Sequence, residues 1–403
     1  MNSKIINKSS APNGCRNVLS QDGFTIIELM IGMTLGLLVL AGLVTVFVQS
    51  SQTRSEIEKN NRQIESGRYA MSVLTADLRM AGYLGSFDPN QMIIKPNSPP
   101  LSGGTAMASM PDPCSTTLSA SGNNNTLLNS FFVHVQGIDN LASIPSCVTD
   151  AKTGSDILVI RRVSSCVNGP TTDANCDAPV AGLPYFQASN CYAAGELATS
   201  TTTSTDYLSF FALGTNFNAA TMNKHELNCT TQAEFRRYLV RIYFVANNNQ
   251  AGDGVPTLKR AELTANAFGV LQFTIVPVAE GIETLQLEYG VSSYGDGLID
   301  GYTTDPGNSF PWCSRTGNRA TAVCAPCSGT TCVANWLSTM AVKVNLLARN
   351  TTTTLGHVDT KSYQLGVMAD GSNNVFGPFN DAYKRHVYNS TVRLDNPSGR
   401  LKP

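Results

Sequence analysis

The chain has 403 residues, with 28 lysine and arginine residues against 29 aspartate and glutamate residues and a formal net charge of −1. This balance excludes a strongly basic nucleic-acid binder, because phosphate binding needs a local excess of cations. Charged residues make up 14% of the chain, where about 25% is ordinary. The surface is therefore polar but weakly charged, and the 42% of hydrophobic residues suffices for one domain plus a separate apolar element.

An apolar run extends from Phe24 to Val48 and contains a single charge, Glu28. As a helix this run would be about 38 Å long, enough to cross a hydrocarbon core of about 30 Å. Three cations precede it against one acid, so the positive-inside rule predicts a single pass with residues 1–22 in the cytoplasm. The run exceeds the usual core of a cleaved signal peptide, which leaves a plain signal anchor as the simplest alternative.

Glu28 is unusual because a carboxylate at membrane depth costs about 2.5–3.5 kcal/mol on insertion scales. It can lie near the interface and extend toward water. Alternatively, cleavage between Gly23 and Phe24 would create an amine beside the apolar run. That cation could pair with the carboxylate of a neighbouring subunit, which is the usual way a lipid-buried ion is tolerated.

The junction sequence GFTIIELMIG resembles the class III signal of type IV prepilins and pseudopilins, with matches at Gly23, Phe24, Thr25 and Glu28. The resemblance implies that a prepilin peptidase removes a leader of residues 1–23 and methylates the amine of Phe24. It also implies that Glu28 directs assembly by meeting that amine on an adjacent subunit. Residues 24–48 would form the membrane-spanning and filament-core half of the N-terminal helix.

A helical pattern continues over residues 49–84 and predicts an amphipathic second half of the same helix. The stripe expected to face a partner or the protein's own sheet consists of Ile57, Ile64, Met71, Leu74, Leu78 and Ala81. The opposite face is charged. We expect this half to pack under a globular head and the apolar half to insert among subunits.

Several segments resemble PilW-type minor pilins. The clearest follows Arg68 and reads LTADLRMAGY over residues 74–83, and the later pieces occur at residues 278–290, 340–349 and 386–395. The resemblance implies an α+β, type IV pilin-like fold, with the long helix packed on a mainly antiparallel β-sheet head that has long disulfide-bearing loops. It further implies storage in the bacterial inner membrane, then a place near the pilus tip in the periplasm or at the cell surface. The implied partners are the prepilin peptidase, the inner-membrane assembly machinery, the major pilin, other minor pilins and a tip adhesin.

The remaining chain, residues 85–403, is expected to form one β-rich head outside the cytoplasm. Proline, serine and glycine over residues 88–126 predict an irregular loop. Strands are predicted at Phe131–Val135, Asp156–Val163, Tyr207–Leu213, Tyr238–Val245, Phe268–Pro277 and Met340–Leu346. Leu285, Leu287 and Tyr289 alternate with polar residues, the pattern of a half-buried strand.

Eleven cysteines are present, of which Cys15 lies in the leader. The other ten are Cys114, Cys147, Cys166, Cys176, Cys191, Cys229, Cys313, Cys324, Cys327 and Cys332. An even number outside the cytoplasm favours disulfides, up to five, with near neighbours such as Cys166 and Cys176 as plausible pairs. The cluster from Cys313 to Cys332 could instead bind zinc, and its CxxC pair could be redox-active, but oxidation competes for the thiols and no βαβ context surrounds the pair.

Other site chemistry is sparse. Asp296, Asp300 and Asp305 are oxygen-rich enough to suggest calcium, but they lack the ligand density of an EF-hand loop, so a solvated turn is the simpler interpretation. The histidines lack metal-type spacing, and nucleophile-elbow, P-loop and HExxH motifs do not occur. We therefore expect neither an enzyme nor a cofactor.

Three functions remain open at this level. The first is a PilW-like minor pilin that primes or takes part in type IV pilus assembly and supports adhesion and twitching motility. The second is a minor pseudopilin of a type II secretion system, since the membrane helix alone does not separate the two filaments. The third is a signal-anchored periplasmic binding protein, which predicts an uncut anchor and a convergent polar pocket.

Overall fold

The computed structural model describes residues 23–87, 101–102, 105–106, 109–118, 126–141, 144–169, 175–193, 195–197, 210–216, 221–292, 297–307 and 330–400. The leader lies outside the described residues except for Gly23. The chain divides into two compact units, the first ending at Ile57 and the second beginning at Glu58.

One continuous helix, α1, spans Ile26–Arg79. All of its residues up to Ser55 are exposed, including the apolar ones, and this first stretch is long and apolar enough to cross a membrane. An apolar surface of this length is stable only when lipid or other protein covers it.

The later part of α1 belongs to the second unit and buries part of the predicted stripe. Leu74, Leu78 and Ala81 are buried as expected, but Ile57 and Ile64 are exposed. The buried positions of α1 are Gln63, Gly67, Ala70, Leu74, Asp77 and Leu78. Gln63 and Gly67, not the predicted isoleucines, face the head here because the neighbouring strand segments present carbonyl groups and an aromatic ring to α1. The side-chain amide of Gln63 donates to the carbonyls of Ala348 and Lys384 at 2.8 and 2.9 Å.

Gly67 is required where α1 meets the ring of Tyr388. A Cβ at this position would lie 2.2 Å from Cε2 of that ring. We expect Gly67→Ala to lower the free energy of unfolding by about 1–3 kcal/mol, the usual cost of overpacking. Gly399→Ala is the matched control, because its added Cβ has no atom within 4 Å. The measurement is urea unfolding of the full chain in detergent micelles, and equal midpoints for the two variants would contradict the expectation.

The head contains antiparallel strands and short helices. In chain order these elements are β1 Leu101–Ser102, β2 Thr105–Ala106, α2 Leu127–Ser130, β3 Val135–Ile138, β4 Ile157–Val163, β5 Tyr185–Ala188, β6 Phe211–Gly214, β7 Phe235–Ala246, β8 Thr257–Ala265, β9 Leu271–Glu280, β10 Ile282–Val291, β11 Gly301–Thr303, α3 Thr330–Leu337, β12 Thr339–Arg349, β13 Tyr363–Val367, β14 Asn373–Phe376, β15 Arg385–Arg393 and α4 Asp395–Arg400. A 3₁₀ turn, Asp139–Leu141, follows β3.

The described part of the head contains two large sheets and two hairpins, β1–β2 and β13–β14. The larger has the order β3-β4-β7-β5-β6, with β8 also paired to β7 and β9 paired to β8, and the smaller has the order β11-β10-β12-β15. All pairings are antiparallel. Side chains of α1 and of both sheets share one hydrophobic core, which includes Leu74, Leu158, Leu285 and Val344. The α+β, pilin-like architecture expected from the sequence is confirmed.

The burial predicted for the strands from their alternation is confirmed in β12 and not in β10. Val342, Val344 and Leu346 of β12 are fully buried, as their alternation indicates. In β10 the expectation of a half-buried strand is wrong, because every residue of that strand is buried. The β13–β14 hairpin covers its second face, where the amide of Asn374 donates to Gln286 at 2.8 Å.

The predicted strand Phe131–Val135 is also wrong for most of its length. Thr126 caps α2 by accepting a hydrogen bond from the amide of Asn129, and a turn precedes β3, which starts at Val135. Phe131 instead joins an aromatic cluster, with its ring 4.5 Å from that of Phe186. Local capping therefore overrides β propensity here.

The buried side chain of His134 makes the head sensitive to acid. Burial is the main cause that lowers its pKa from 6.5 to about 4, although its Nε2 lies 2.8 Å from the carbonyl oxygen of Thr339. Because the unfolded chain takes up this proton near pH 6.5, the histidine lowers stability progressively as the pH falls from about 6.5 to about 4.

Asp156 acts with the opposite sign over the same range. Burial raises the pKa of its carboxyl group to about 8, so below that pH the folded state holds a proton that the unfolded chain binds only near 3.8. Acid therefore stabilises the folded state through Asp156.

The contribution of His134 is separated from that of Asp156 by comparing the natural protein with a His134 variant at each pH. We expect His134→Gln to gain on the order of 3 kcal/mol relative to the natural protein between pH 7 and pH 4, measured by urea unfolding. Parallel pH profiles for the two proteins would contradict this.

Candidate assembly site

The junction at the start of α1 is exposed and locally ordered. Gly23 and Phe24 precede the helix, and the Phe24 side chain is 87% exposed. The two residues that flank the predicted cleavage point are therefore both exposed within the described chain. The carbonyl of Thr25 accepts the first helical hydrogen bond, from the amide of Leu29 at 3.1 Å.

Glu28 and Thr25 form a reciprocal capping box. The hydroxyl of Thr25 accepts from the amide of Glu28 at 3.3 Å, and the carboxylate of Glu28 accepts from the amide and hydroxyl of Thr25 at 3.3 and 3.2 Å. This T-x-x-E arrangement satisfies amides that the first helical turn leaves without partners. From the sequence, an interfacial position and a pairing with a neighbour's amine were both open for Glu28, but a cap was not predicted, although the spacing of Thr25 and Glu28 was the available signal for one.

The capping box leaves the carboxylate of Glu28 exposed and places it at the positive end of the helix dipole. The hydrogen bonds with Thr25 fix the orientation of this carboxylate, and its exposure leaves it able to pair with a cation of another molecule. The geometry therefore supports both a local and an intermolecular use of the same side chain.

In the head, the end of α1 is tied to the larger sheet by Asp77. Its carboxylate accepts from Arg241 at 2.6 and 2.8 Å and from Arg162 at 3.2 Å, and it also accepts from the hydroxyl of Tyr243. Burial by itself would raise the pKa of Asp77, but the hydrogen bonds and charge of Arg241, together with Tyr243 and Arg162, outweigh it and hold the pKa below its ordinary value. An acid on the buried stripe between Leu74 and Leu78 is the sequence signal for such an anchor.

Three disulfides have both of their cysteines among the described residues. Cys166 with Cys176 confirms the near-neighbour expectation, and the other bridges are Cys114–Cys147 and Cys191–Cys229. The two longer bridges span 33 and 38 residues, separations that the sequence could not decide. Each bridge restricts a loop of the head in the unfolded chain.

The remaining cysteine predictions fall largely outside the described residues, which include neither Cys313, Cys324 nor Cys327. Cys332 is disulfide-bonded, so the alternative of a four-thiolate zinc site that uses it is wrong. Cys15 also lies outside the described residues.

The calcium candidates are only partly described, since Asp296 lies outside the described residues. Asp305 accepts a hydrogen bond from the amide of Gly307 at 2.7 Å, and burial raises the pKa of its carboxyl group. The amide of Asp300 donates to the carbonyl of Val291 at 2.9 Å. Within the described ranges, no group of three or more histidine, cysteine, aspartate or glutamate side chains has a metal-holding arrangement.

A long, capped and exposed apolar helix that continues into an antiparallel head defines the class of type IV pilin-like proteins. Residues 19–44 match the model of the prokaryotic N-terminal methylation motif, and residues 242–396 match the family described as Type IV Pilus-assembly protein W. The chain therefore carries a prepilin N-terminal methylation motif and, over residues 242–396, a segment similar to the PilW family, and both matches are consistent with a type IV pilus pilin of the PilW type.

One curated relative is the pilin-like protein PilA3 of Thermus thermophilus, which is 37% identical over 83 residues. The match covers 20% of this chain and 35% of the length of PilA3. No solved structure matches the chain.

Proposed function

We propose that this protein is a minor pilin that primes or takes part in type IV pilus assembly near the pilus tip, supporting adhesion and twitching motility. The observation that carries the proposal is the exposed apolar stretch of α1, which begins at a capped junction and contains the accessible Glu28. Such a surface suits storage in the inner membrane, with the N-terminus in the cytoplasm, followed by transfer into a filament core of similar helices.

The proposed partners follow from this route. A prepilin peptidase would cut after Gly23 and methylate Phe24, and the inner-membrane assembly machinery would deliver the subunit to the major pilin, other minor pilins and a tip adhesin. The match to the assembly-protein family over residues 242–396 favours a pilus over a type II secretion filament. In this role the protein acts by association rather than as an enzyme.

The test is mass spectrometry of the N-terminus in filaments sheared from the cell surface. We expect an N-methylated Phe24 in the sheared fraction. A processed form retained wholly in the periplasm would assign the protein to a secretion filament. An uncut form confined to the membrane would overturn the proposal and leave a signal-anchored periplasmic protein.

A further inference from the structure

A groove runs along the second-unit part of α1 where this helix packs beside the edge strand β15. It consists of two adjoining clefts of about 580 and 430 Å³, and both are lined by Arg68 and Tyr388. The larger cleft extends to the loop that contains Lys361, and the smaller one extends along α1 to Arg79. We call this feature the α1–β15 groove.

The groove is positively charged, although the chain as a whole has a net charge of −1. Arg68, Lys361 and Lys384 line the larger cleft together with His357 and His386. Arg68 and Lys361 are exposed. The sole carboxylate in the lining of that cleft is Asp359.

Asp359 does not offset this charge, because it is already neutralised. Its side chain is buried, and it accepts from Arg385 at 2.9 Å and from the hydroxyl of Tyr363 at 2.9 Å. The fully buried guanidinium of Arg385 is shared with Glu283 and Asp381 at 2.5 and 2.7 Å. Three carboxylates against Arg385 and Lys152 leave this network with an excess of negative charge, but Glu283 and Asp381 do not line the groove. The exposed charged side chains that line the larger cleft are therefore cations.

The strand beside the groove has an open edge. Within the described part of the chain, β15 pairs only with β12. The carbonyl of Lys384 accepts from Asn350, and the amide of Leu394 donates to Met340, so the even-numbered residues bond to β12. By the alternation of antiparallel ladders, the amides and carbonyls of the odd-numbered residues, such as Val387 and Asn389, face outward.

We propose that the α1–β15 groove binds an extended acidic segment of a partner protein, which adds a strand to the edge of β15. Another polypeptide backbone can pair with the outward row of amides and carbonyls. Nucleic acid and lipid lack such a row of alternating donors and acceptors. Its carboxylates would meet Arg68 and Lys361, and its apolar side chains would contact Tyr388 and Ile64, of which Ile64 is 41% exposed. The inference concerns the second unit alone and does not depend on the proposed function.

The first measurement is fluorescence anisotropy with the full chain in detergent micelles. The probe is a labelled eight-residue peptide that alternates glutamate with valine, and its counterpart alternates lysine with valine. We expect saturable binding of the acidic peptide only. Binding should weaken at least tenfold when Arg68→Glu and Lys361→Glu are combined, since two attractions become repulsions.

Arg62→Glu is the matched control, because Arg62 is exposed on the same helix and does not line the groove. We expect this variant to bind the acidic peptide within twofold of the natural protein. Urea midpoints of all variants should agree, since each substituted side chain is exposed. An equal loss of affinity for the acidic peptide in the Arg62 variant and in the Arg68 and Lys361 double variant would overturn the proposal.

The second measurement separates strand addition from simple anion binding. The same acidic peptide is N-methylated at every residue, which keeps its charge and removes its backbone donors. We expect at least tenfold weaker binding. Unchanged affinity would overturn strand addition, and tighter, equally charge-dependent binding of an eight-nucleotide thymidine strand would overturn the choice of a polypeptide.

Discussion

Asp77→Ala is expected to destabilise the head by about 3–5 kcal/mol, the usual cost of breaking a buried ion pair from one side. The substitution leaves Arg241 and Arg162 without their shared carboxylate and removes the acceptor of the Tyr243 hydroxyl. Because this one side chain bonds to two strands of the larger sheet, its loss should weaken the contact between α1 and that sheet, although Leu74 and Leu78 still pack in the shared core. The measurement is urea unfolding of the full chain in micelles, followed by Trp fluorescence.

The matched control for Asp77 is Glu65→Ala, which removes an exposed carboxylate from the same helix. Surface changes of this kind usually stay within 0.5 kcal/mol. The low pKa of Asp77 adds a pH dependence: its stabilisation is present above pH 3.8 and is lost as the pH falls through its lower folded-state value. If the Asp77 and Glu65 variants unfold at the same urea concentration, the anchor has no energetic role.

Glu28→Ala is expected to prevent incorporation into surface filaments. The substitution removes both the exposed carboxylate proposed to meet a neighbour's amine and one half of the capping box with Thr25. Loss of the cap alone costs about 0.5–2 kcal/mol and would weaken the first turn without abolishing assembly. The measurement is the amount of this protein in sheared filaments relative to the membrane fraction.

Glu28→Gln separates the two uses of this side chain. Glutamine can still accept from Thr25 in a capping box, but it has no charge to pair with an amine. If charge pairing directs assembly, the glutamine and alanine variants should be lost from filaments equally. Normal filament content of the glutamine variant with loss of the alanine variant would assign Glu28 to capping only, and normal content of both would refute an assembly role.

Much of the second-unit fold could be predicted because the signals are local. The alternation in β12 reports a strand that faces the core, and Leu74 and Leu78 occur at helical spacing on one face of α1. The interpretation was wrong at β10, since a strand's own sequence does not show that a later hairpin covers its polar face. It was wrong again at Ile64, because the partner of α1 at that level is the ring of Tyr388, more than 300 residues away.

The sequence by itself determined the N-terminal junction and the apolar run, because cleavage signals, membrane length and a lone acid are properties of consecutive residues. It also indicated the helix and the antiparallel character of the head, and it offered one short disulfide, Cys166–Cys176, as a plausible pair that the structure confirms. Only the tertiary structure decided the two longer disulfides, the partners of Asp77 and the open edge of β15. Each of these depends on which distant strands become neighbours, and loop closure over tens of residues is governed by the whole core rather than by any local pattern.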